Sequence, residues 1–313
     1  MTGLGRRGAL ALEDRSRVAA RRRGPLDGEV RWALLFLAPT IIGLAILSAG
    51  PIFATLAISL TSWDLLQAPK VVGIENFVDL VNDDRFGKAL RNTFFYTATS
   101  VPIGLTIALG LALALNQTIR GIAWIRTAYF MPVVTSTIAV ALVWQWILSP
   151  DAGLLNQALG AVGIGPRKWL VEPTLIMPSI VAMSIWQGLG TNVIIFLAGL
   201  QAIPTELLDA ASVDGAGRWA RFRNVVLPLL TPSIFFTGIL SLIASFQVFD
   251  QVFVLTRPRP TDASITVVYF IYENGFKFFK MGYASAASWI LFVIVAFFTW
   301  IYFRGQGRWV HYQ

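Results

Sequence analysis

The sequence predicts an all-α integral membrane protein with about six transmembrane helices. Of its 313 residues, 56% are hydrophobic and only 13% are charged, whereas a soluble domain carries about 25% charged residues. The apolar residues form long runs without alternation, so every face of each run is apolar, and about 20 such residues cross a bilayer core. Lipid-embedded backbone must satisfy its own hydrogen bonds, which makes these runs helices. The runs are residues 32–60, 93–116, 128–148, 175–200, 229–256 and 283–303.

Residues 1–31 predict a basic cytoplasmic leader. They carry eight arginines, and such clusters remain on the cytoplasmic side of a membrane. The first apolar run is not a cleavable signal peptide, because it is too long for the apolar region of one and follows about 30 polar, arginine-rich residues. Six crossings then return the tail, residues 304–313, to the cytoplasm.

This topology assigns the connecting segments to the two sides of the membrane. The transmembrane domain is residues 32–303, with outer loops at 61–91, 149–173 and 257–282 and a cytoplasmic loop at 201–228. Gly50-Pro51 and Pro132 predict bends in the first and third helices, since proline removes a backbone donor. Residues 74–90 predict a short interfacial helix.

Several kinds of chemistry are excluded by composition. The chain has no cysteine and one histidine, His311, so neither a disulfide nor a histidine-based metal site is expected. It has no phosphate-binding loop of the GxxxxGK[ST] type, so ATP is not hydrolysed by this chain. The net charge of +8 comes from residues that flank helices, so no nucleic-acid partner is expected.

The cytoplasmic loop, QAIPTELLDAASVDGAGRWARFRNVVLP, is the most informative segment. Its pattern predicts two short amphipathic helices at an angle, the first opened by Pro204 and the two separated by Gly215. Amphipathicity alone does not decide between a helix that anchors in lipid and one that docks on a partner.

This loop resembles the EAA signature of permeases in binding-protein-dependent ABC importers. Asp209 stands where glutamate is commoner and keeps the charge. The matching residues are Asp209, Ala210, Ala211, Asp214, Gly215, Ala216, Phe222, Leu227 and Pro228.

Further segments resemble the sugar-type branch of that family, which includes the maltose and glycerol-3-phosphate permeases. They include Gly73 to Phe77, Asn92-Thr93, Trp144-Gln145-Trp146, Gly153 to Asn156, and Phe249-Asp250. The resemblance spans about residues 32–303. It departs at Arg257-Pro258-Arg259-Pro260, where that branch often has Gly-Gly-Pro.

The resemblance implies a permease subunit of the bacterial inner membrane, not an enzyme, that imports a sugar or sugar-derived solute. Its partners would be a second permease, a cytoplasmic ATPase dimer that uses ATP and Mg²⁺, and an extracytoplasmic binding protein. The chain itself would bind no cofactor or metal. Asp209 would contact the ATPase, Ala210 and Ala211 would allow close approach, and Gly215 would form the bend.

Polar side chains within the predicted helices are candidates for the solute path, because they usually face a cavity or another helix. Trp186 is a candidate for stacking on a sugar ring, and hydrogen bonding between helices is the alternative role for the others. The candidates are Gln145, Trp186, Gln187, Asn192, Ser241, Ser245, Gln247 and Asp250. Arg257 and Arg259 favour an anionic solute, such as glycerol-3-phosphate, a glycerophosphodiester or a sugar phosphate. The alternatives are that they dock the binding protein or only reflect membrane topology.

Three other classes compete with the importer. An ion-coupled secondary transporter needs acidic residues in the middle of its helices. No run has one there, since Asp250 lies near the outer end of the fifth. A membrane scaffold needs neither the loop spacing nor the polar helix residues. A membrane enzyme needs a metal or nucleophile constellation that the sequence lacks.

Overall fold

The computed structural model describes residues 28–117, 121–256 and 261–310, which are mostly helical. The α-helices, numbered in chain order, are α1 Gly28–Leu44, α2 Gly50–Ser59, α3 Glu75–Val81, α4 Asp84–Leu115, α5 Ile122–Val134, α6 Thr137–Ile147, α7 Leu154–Ala161, α8 Ile176–Gln201, α9 Thr205–Val213, α10 Arg218–Arg221, α11 Leu227–Phe246, α12 Asp250–Leu255, α13 Val267–Tyr272 and α14 Met281–Trp309. Three π-helical segments, Ala45–Ala49, Phe222–Val226 and Glu273–Lys277, continue α1, α10 and α13. Strands β1 Thr61–Ser62 and β2 Lys70–Val71 pair antiparallel.

The predicted membrane architecture is confirmed. Within the described ranges, five helical stretches are long and apolar enough to cross a membrane, and a bent helix pair makes a sixth if it counts as one span. The five are Trp32–Ser59, Asp84–Leu115, Ile176–Gln201, Arg218–Phe246 and Met281–Gly307. The chain divides between Thr55 and Leu56 into two compact units, and the sites described below lie in the second unit.

The third predicted span is broken, not merely kinked. Helices α5 and α6 meet at 101°, and Thr135 between them is extended, with φ −87° and ψ 140°. Pro132 lies inside α5, so the break falls three residues beyond the predicted bend.

Two other prolines, Pro51 and Pro228, are accommodated within continuous helices by π-helical turns that precede them. The segment Ala45–Ala49 ends two residues before Pro51, and Phe222–Val226 ends two residues before Pro228. A proline ring collides with the carbonyl four residues earlier, and a widened π turn moves that carbonyl aside. At Gly50-Pro51, where a bend is predicted, the helix has a widened π turn and continues as one span.

The predicted interfacial helix at 74–90 is two helices. Helix α3 ends at Val81, and α4 begins at Asp84, nine residues before the predicted start of the second span. Asp83 separates them as an N-cap, because its carboxylate accepts hydrogen bonds from the backbone N–H groups of Arg85 and Phe86.

The start of α4 holds the segment that precedes α14. The Arg85 guanidinium lies 2.5 Å from the Glu273 carboxylate, which is only 2% exposed. Lys88 pairs with Asp262 at 2.7 Å, with both side chains exposed. The Tyr283 hydroxyl donates to the Asp83 carboxylate at 2.7 Å. These contacts fix the segment 261–283 on the N-terminal turns of α4.

Replacing Arg85 with methionine should destabilise the protein by about 3 kcal/mol, since it removes the ion-pair partner of a buried carboxylate. The expectation is at the lower end of the range for buried pairs because Arg85 is 27% exposed. Lys88→Met is the matched control, and the loss of its exposed pair should cost about 1 kcal/mol or less. Thermal unfolding of the detergent-purified protein measures both. Equal losses in the two variants would show that the buried pair has no special role.

Two hydrophobic clusters make up the core. One includes Phe86, Ile180, Phe246 and Phe270 and lies where α13 and α14 meet α4 and α8. The other lies towards the opposite ends of α4 and α8 and includes Ala108, Ala112, Val193, Phe196 and Leu230. Ala108 and Ala112 are fully buried, as expected where small residues let two membrane helices approach closely.

Candidate functional site

A cavity of about 500 Å³ lies among α4, α8, α11 and the start of α12. Each long helix contributes a stripe of polar and small residues at three- and four-residue spacing, which is one face of a helix. The stripes are Tyr96, Ser100 and Gly104 on α4; Ser184, Gln187, Gly188, Thr191 and Asn192 on α8; and Ser241, Ala244 and Ser245 on α11. A cavity of this volume is in the usual range for small-molecule sites.

Hydrogen bonds between helices hold the walls of the cavity. Ser245 Oγ lies 3.0 Å from Thr97 Oγ1 and joins α11 to α4. Gln187 Nε2 donates to Thr137 Oγ1 at 3.0 Å and joins α8 to α6. These bonds satisfy some polar groups while their neighbours remain open to the cavity.

One part of the cavity wall is formed where the chain breaks between α11 and α12. Gln247, Val248 and Phe249 separate the two helices, although the sequence predicts one apolar run over 229–256. The Val248 carbonyl accepts a hydrogen bond from Thr266 Oγ1 at 3.1 Å. Asp250 then begins α12 and lines the cavity.

Six of the eight predicted solute-path residues line this one cavity: Gln187, Asn192, Ser241, Ser245, Gln247 and Asp250. Gln145 and Trp186 are not among its lining residues. The Trp186 ring instead packs on Trp144, with ring centroids 5.9 Å apart. The roles of all eight remain predictions.

Five polar residues of the cavity were not predicted from the sequence: Tyr96, Ser100, Ser184, Thr191 and Gln251. The signal that would have found most of them is spacing. Ser184 and Thr191 stand three residues before Gln187 and four after it, and Tyr96, Ser100 and Gly104 repeat every four residues along α4.

The EAA-like loop begins with α9, which ends in a Schellman motif. Asp214 is the C-cap residue. Gly215 N–H donates to the Ser212 carbonyl at 3.1 Å, and Ala216 N–H donates to the Ala211 carbonyl at 2.9 Å. Gly215 has φ +79°, a left-handed conformation that glycine adopts without strain. The spacing from Ala211 to Gly215 and Ala216 is therefore that of a helix C-terminus.

The second of the two short helices predicted for the loop is not separate from the membrane span that follows it. It is the start of the long span, since α10 continues through the π segment Phe222–Val226 into α11, with Leu227 and Pro228 in its first turn. Arg221 Nη1 donates to Ser212 Oγ at 2.8 Å and ties this span to α9. The angle between the two parts is thus set by the Gly215 turn and by this hydrogen bond.

The loop presents apolar side chains that nothing in the described chain covers. Val213 is 88% exposed and Trp219 is 70% exposed. Asp209 and Ala210, which lie on α9 with Val213, are also exposed. Such a surface suits contact with another protein.

Some residues that the sequence analysis names fall outside the described residues. Arg257, Arg259 and His311 lie outside the described ranges. Within those ranges, no group of three or more His, Cys, Asp or Glu residues is placed to hold a metal ion.

Comparisons with known proteins agree with this geometry. The family described as "Binding-protein-dependent transport system inner membrane component" matches residues 100–308. The lactose transport system permease protein LacF of Rhizobium radiobacter is 34% identical over 86% of this chain and 92% of its own length. The sn-glycerol-3-phosphate transport system permease protein UgpA of Yersinia pestis is 34% identical over 77% of this chain and 82% of its own.

A solved structure is similar over nearly the whole chain. It is a bacterial alginate ABC transporter in complex with an alginate pentasaccharide-bound periplasmic protein. The two chains are 25% identical, with a TM-score of 0.79. The match covers 90% of this chain and 96% of the transporter chain.

Proposed function

The chain belongs to the family of binding-protein-dependent transport system inner membrane components, and we propose that it is the permease subunit of an ABC importer for a sugar or a sugar-derived solute. It is a multi-pass membrane protein. The observation that carries the proposal is the presence, on one chain, of a polar cavity between membrane helices and an exposed EAA-like loop.

The cavity supports the transport role. Hydroxyl and amide groups inside a membrane protein are costly unless they face a partner or water. Here Asn192, Gln247 and Asp250 line the cavity, and among the described residues none of their side chains bonds across the helix interface. The lactose permease and the alginate transporter among the related proteins support a saccharide as the solute.

The loop supports the coupling role. In the proposed assembly, α9 sits against a cytoplasmic ATPase subunit, and Val213 and Trp219 are covered by it. Asp209, Ala210 and Ala211 lie on the contacting helix, and Asp214, Gly215 and Ala216 end it. Phe222, Leu227 and Pro228 pass the motion of the loop into α11. ATP and Mg²⁺ bind to the ATPase, and this chain needs no cofactor of its own.

The proposed assembly contains a second permease, an ATPase dimer and an extracytoplasmic binding protein. The alginate transporter was solved with its periplasmic binding protein, which supports the last of these partners. In the bacterial inner membrane both termini of this chain lie in the cytoplasm, as the basic leader favours.

The test is reconstitution of the tagged chain with the permease, ATPase and binding protein encoded beside it. We expect the ATPase to co-purify with the chain, and the solute-loaded binding protein to stimulate ATP hydrolysis and solute uptake in proteoliposomes. Omission of the binding protein is the control and should remove the stimulation. If no ATPase associates with the wild-type chain, the importer proposal fails in favour of an ion-coupled transporter or a scaffold.

A further inference from the structure

A second cavity, of about 380 Å³, lies where the ends of two membrane spans meet, and we call it the boundary cavity. One wall is formed by residues 62–64, just after the first span ends at Ser59, and another by residues at 278–283, where the last span begins at Met281. Helix α3 contributes a third wall. Because the ends of the spans mark the edge of the hydrocarbon core, the boundary cavity lies at the level of the lipid headgroups.

Backbone and side-chain hydrogen bonds hold these walls together. The Met281 N–H donates to the Trp63 carbonyl at 2.9 Å and joins the last span to the segment after the first. Asn76 Nδ2, on α3, donates to the Thr61 carbonyl at 2.9 Å. The boundary cavity is therefore formed before any ligand arrives.

Two of its walls contain strained backbone. Leu65 has φ +66° and Phe279 has φ +54°, and no other non-glycine residue in the described part of the chain has a positive φ. Leu65 follows the lining residue Asp64, and Phe279 precedes the lining residue Lys280. Strain of this kind is concentrated at sites that hold ligands, and here it adjoins a charged side chain on each wall.

The boundary cavity carries charges of both signs that the chain does not pair. Lys280 and Asp79 line it and are exposed, and in the described ranges neither side chain has a hydrogen-bond or ion-pair partner. Asp64 Oδ1 accepts from the backbone N–H groups of Gln67 and Leu66 at 2.9 and 3.1 Å. These bonds lower the pKa of Asp64, so its carboxylate is ionised at neutral pH. A ligand that pairs with all three groups must itself carry a cation and an anion.

Aromatic side chains complete the lining. Trp63, Phe279 and Tyr283 line the boundary cavity, and Phe279 is 51% exposed. Tryptophan and tyrosine are enriched at headgroup level in membrane proteins, and an aromatic face attracts an ammonium group. The lining thus suits a ligand that has an ammonium group and lies at the membrane surface.

We propose that the boundary cavity binds the headgroup of a zwitterionic phospholipid with a primary ammonium group, such as phosphatidylethanolamine. The ammonium donates its three N–H groups to the Asp79 and Asp64 carboxylates, and the Lys280 amine donates to the phosphate. The level of the cavity favours a lipid over a loop of another protein, because the acyl chains stay in the bilayer while the headgroup binds. This site is additional to the proposed transport function and does not depend on it.

The first arm of the test compares headgroups on the wild-type chain. The full-length protein in detergent is titrated with dioleoyl phosphatidylethanolamine or dioleoyl phosphatidylcholine, and native mass spectrometry measures the affinity of the first lipid retained. A trimethylated ammonium has no N–H to donate, so phosphatidylcholine should bind about tenfold more weakly, the factor for losing a hydrogen bond to a charged group. Equal affinities would overturn the proposal.

The second arm assigns the lipid to this cavity. Asp79→Asn should lower the affinity for phosphatidylethanolamine by about fivefold, the factor for one exposed charge pair, and should leave that for phosphatidylcholine unchanged. Lys280→Met should lower both affinities, because both lipids carry the phosphate. Asp151→Asn and Lys168→Met remove the same charges from exposed positions of another loop, outside the boundary cavity, and should change neither affinity.

The remaining outcomes point to a different occupant. If Asp79→Asn and Lys280→Met bind both lipids as the wild type does, the lipid site lies elsewhere and the proposal is overturned. If these variants instead weaken binding of the extracytoplasmic binding protein to the transporter in nanodiscs of phosphatidylcholine alone, the boundary cavity receives a protein loop and not a lipid.

Discussion

Substitution of Gly282 with alanine should abolish the folded protein or destabilise it by at least about 3 kcal/mol, the upper end of the usual range for overpacking. Gly282 is the second residue of α14 and lies against β1. A Cβ there would overlap the Thr61 carbonyl oxygen and would lie 2.9 Å from the Thr61 carbonyl carbon. Both neighbours are backbone atoms, so no side-chain rotation relieves the collision.

The surrounding hydrogen bonds prevent the backbone from moving aside. The Thr61 carbonyl also accepts from Asn76 Nδ2 at 2.9 Å, and the adjacent Met281 N–H donates to the Trp63 carbonyl at 2.9 Å. A shift large enough to admit a methyl group would break at least one of them. The junction of the outer loop with the last span therefore depends on glycine.

The control is Gly87→Ala in α4, where an added Cβ meets nothing within 4 Å. In a helix interior this change should stabilise by up to about 1 kcal/mol. The yield of monodisperse protein and its thermal midpoint, measured by fluorescence-detected size exclusion, compare the two variants. Similar midpoints for Gly282→Ala and the wild type would contradict the tight junction.

The number and order of the membrane helices could be predicted from the sequence because lipid imposes one rule on every span. Their breaks could not, because tertiary contacts decide them. The run over 229–256 is apolar enough to predict one span, yet its helix breaks at Gln247 to Phe249. Thr266 satisfies the Val248 carbonyl, and Phe249 packs between Phe253 and Tyr272. Thr266 and Tyr272 are about twenty residues away in the sequence, so the local sequence does not reveal these contacts.

Part of the cavity could be predicted from the sequence, because lipid also makes polar residues unusual within a membrane helix. Polar residues in an apolar helix are conspicuous, and six of those predicted line the cavity. The contribution of α4 was missed because its stripe is made of a tyrosine, a serine and a glycine, none of which is unusual in a membrane helix. Only their shared face, and the pairing of α4 with α8 and α11, gives them a common role.

Two asparagines outside the EAA-like loop, Asn156 and Asn76, have a structural role. Asn156 Nδ2 donates to the Pro150 and Arg167 carbonyls, and its Oδ1 accepts from the Trp169 indole N–H at 2.8 Å. Asn76 donates to the Ser59 and Thr61 carbonyls. These side chains satisfy carbonyls of an outer loop and carbonyls at the end of α2 and the start of β1. Their contacts within this chain explain these asparagines without any role for the solute.

Replacement of Gly215 with valine should uncouple ATP hydrolysis from the permease. Its φ of +79° is strained for any L-residue by about 1–2 kcal/mol, and more for a β-branched one. Relief of the strain requires the Schellman hydrogen bonds of Ala216 and Gly215 to open, which moves α9 relative to α10. Since 1.4 kcal/mol is a factor of ten, the binding-protein-stimulated ATPase should fall by about tenfold or more, and less ATPase should co-purify.

Two further variants make this interpretation specific. Gly217→Val adds the same side chain two residues away, where φ is −66° and ψ is 169° and a Cβ meets nothing within 4 Å, so coupling should be nearly retained. Gly215→Asn should restore much of the activity, because asparagine tolerates the left-handed region. An added Cβ meets nothing within 4 Å at Gly215 either. The two sites therefore differ in backbone conformation and not in the space available for a side chain. If Gly215→Val and Gly217→Val lose the stimulated ATPase equally, the loss comes from a crowded partner contact, and the turn at Gly215 is not what couples the loop to the ATPase.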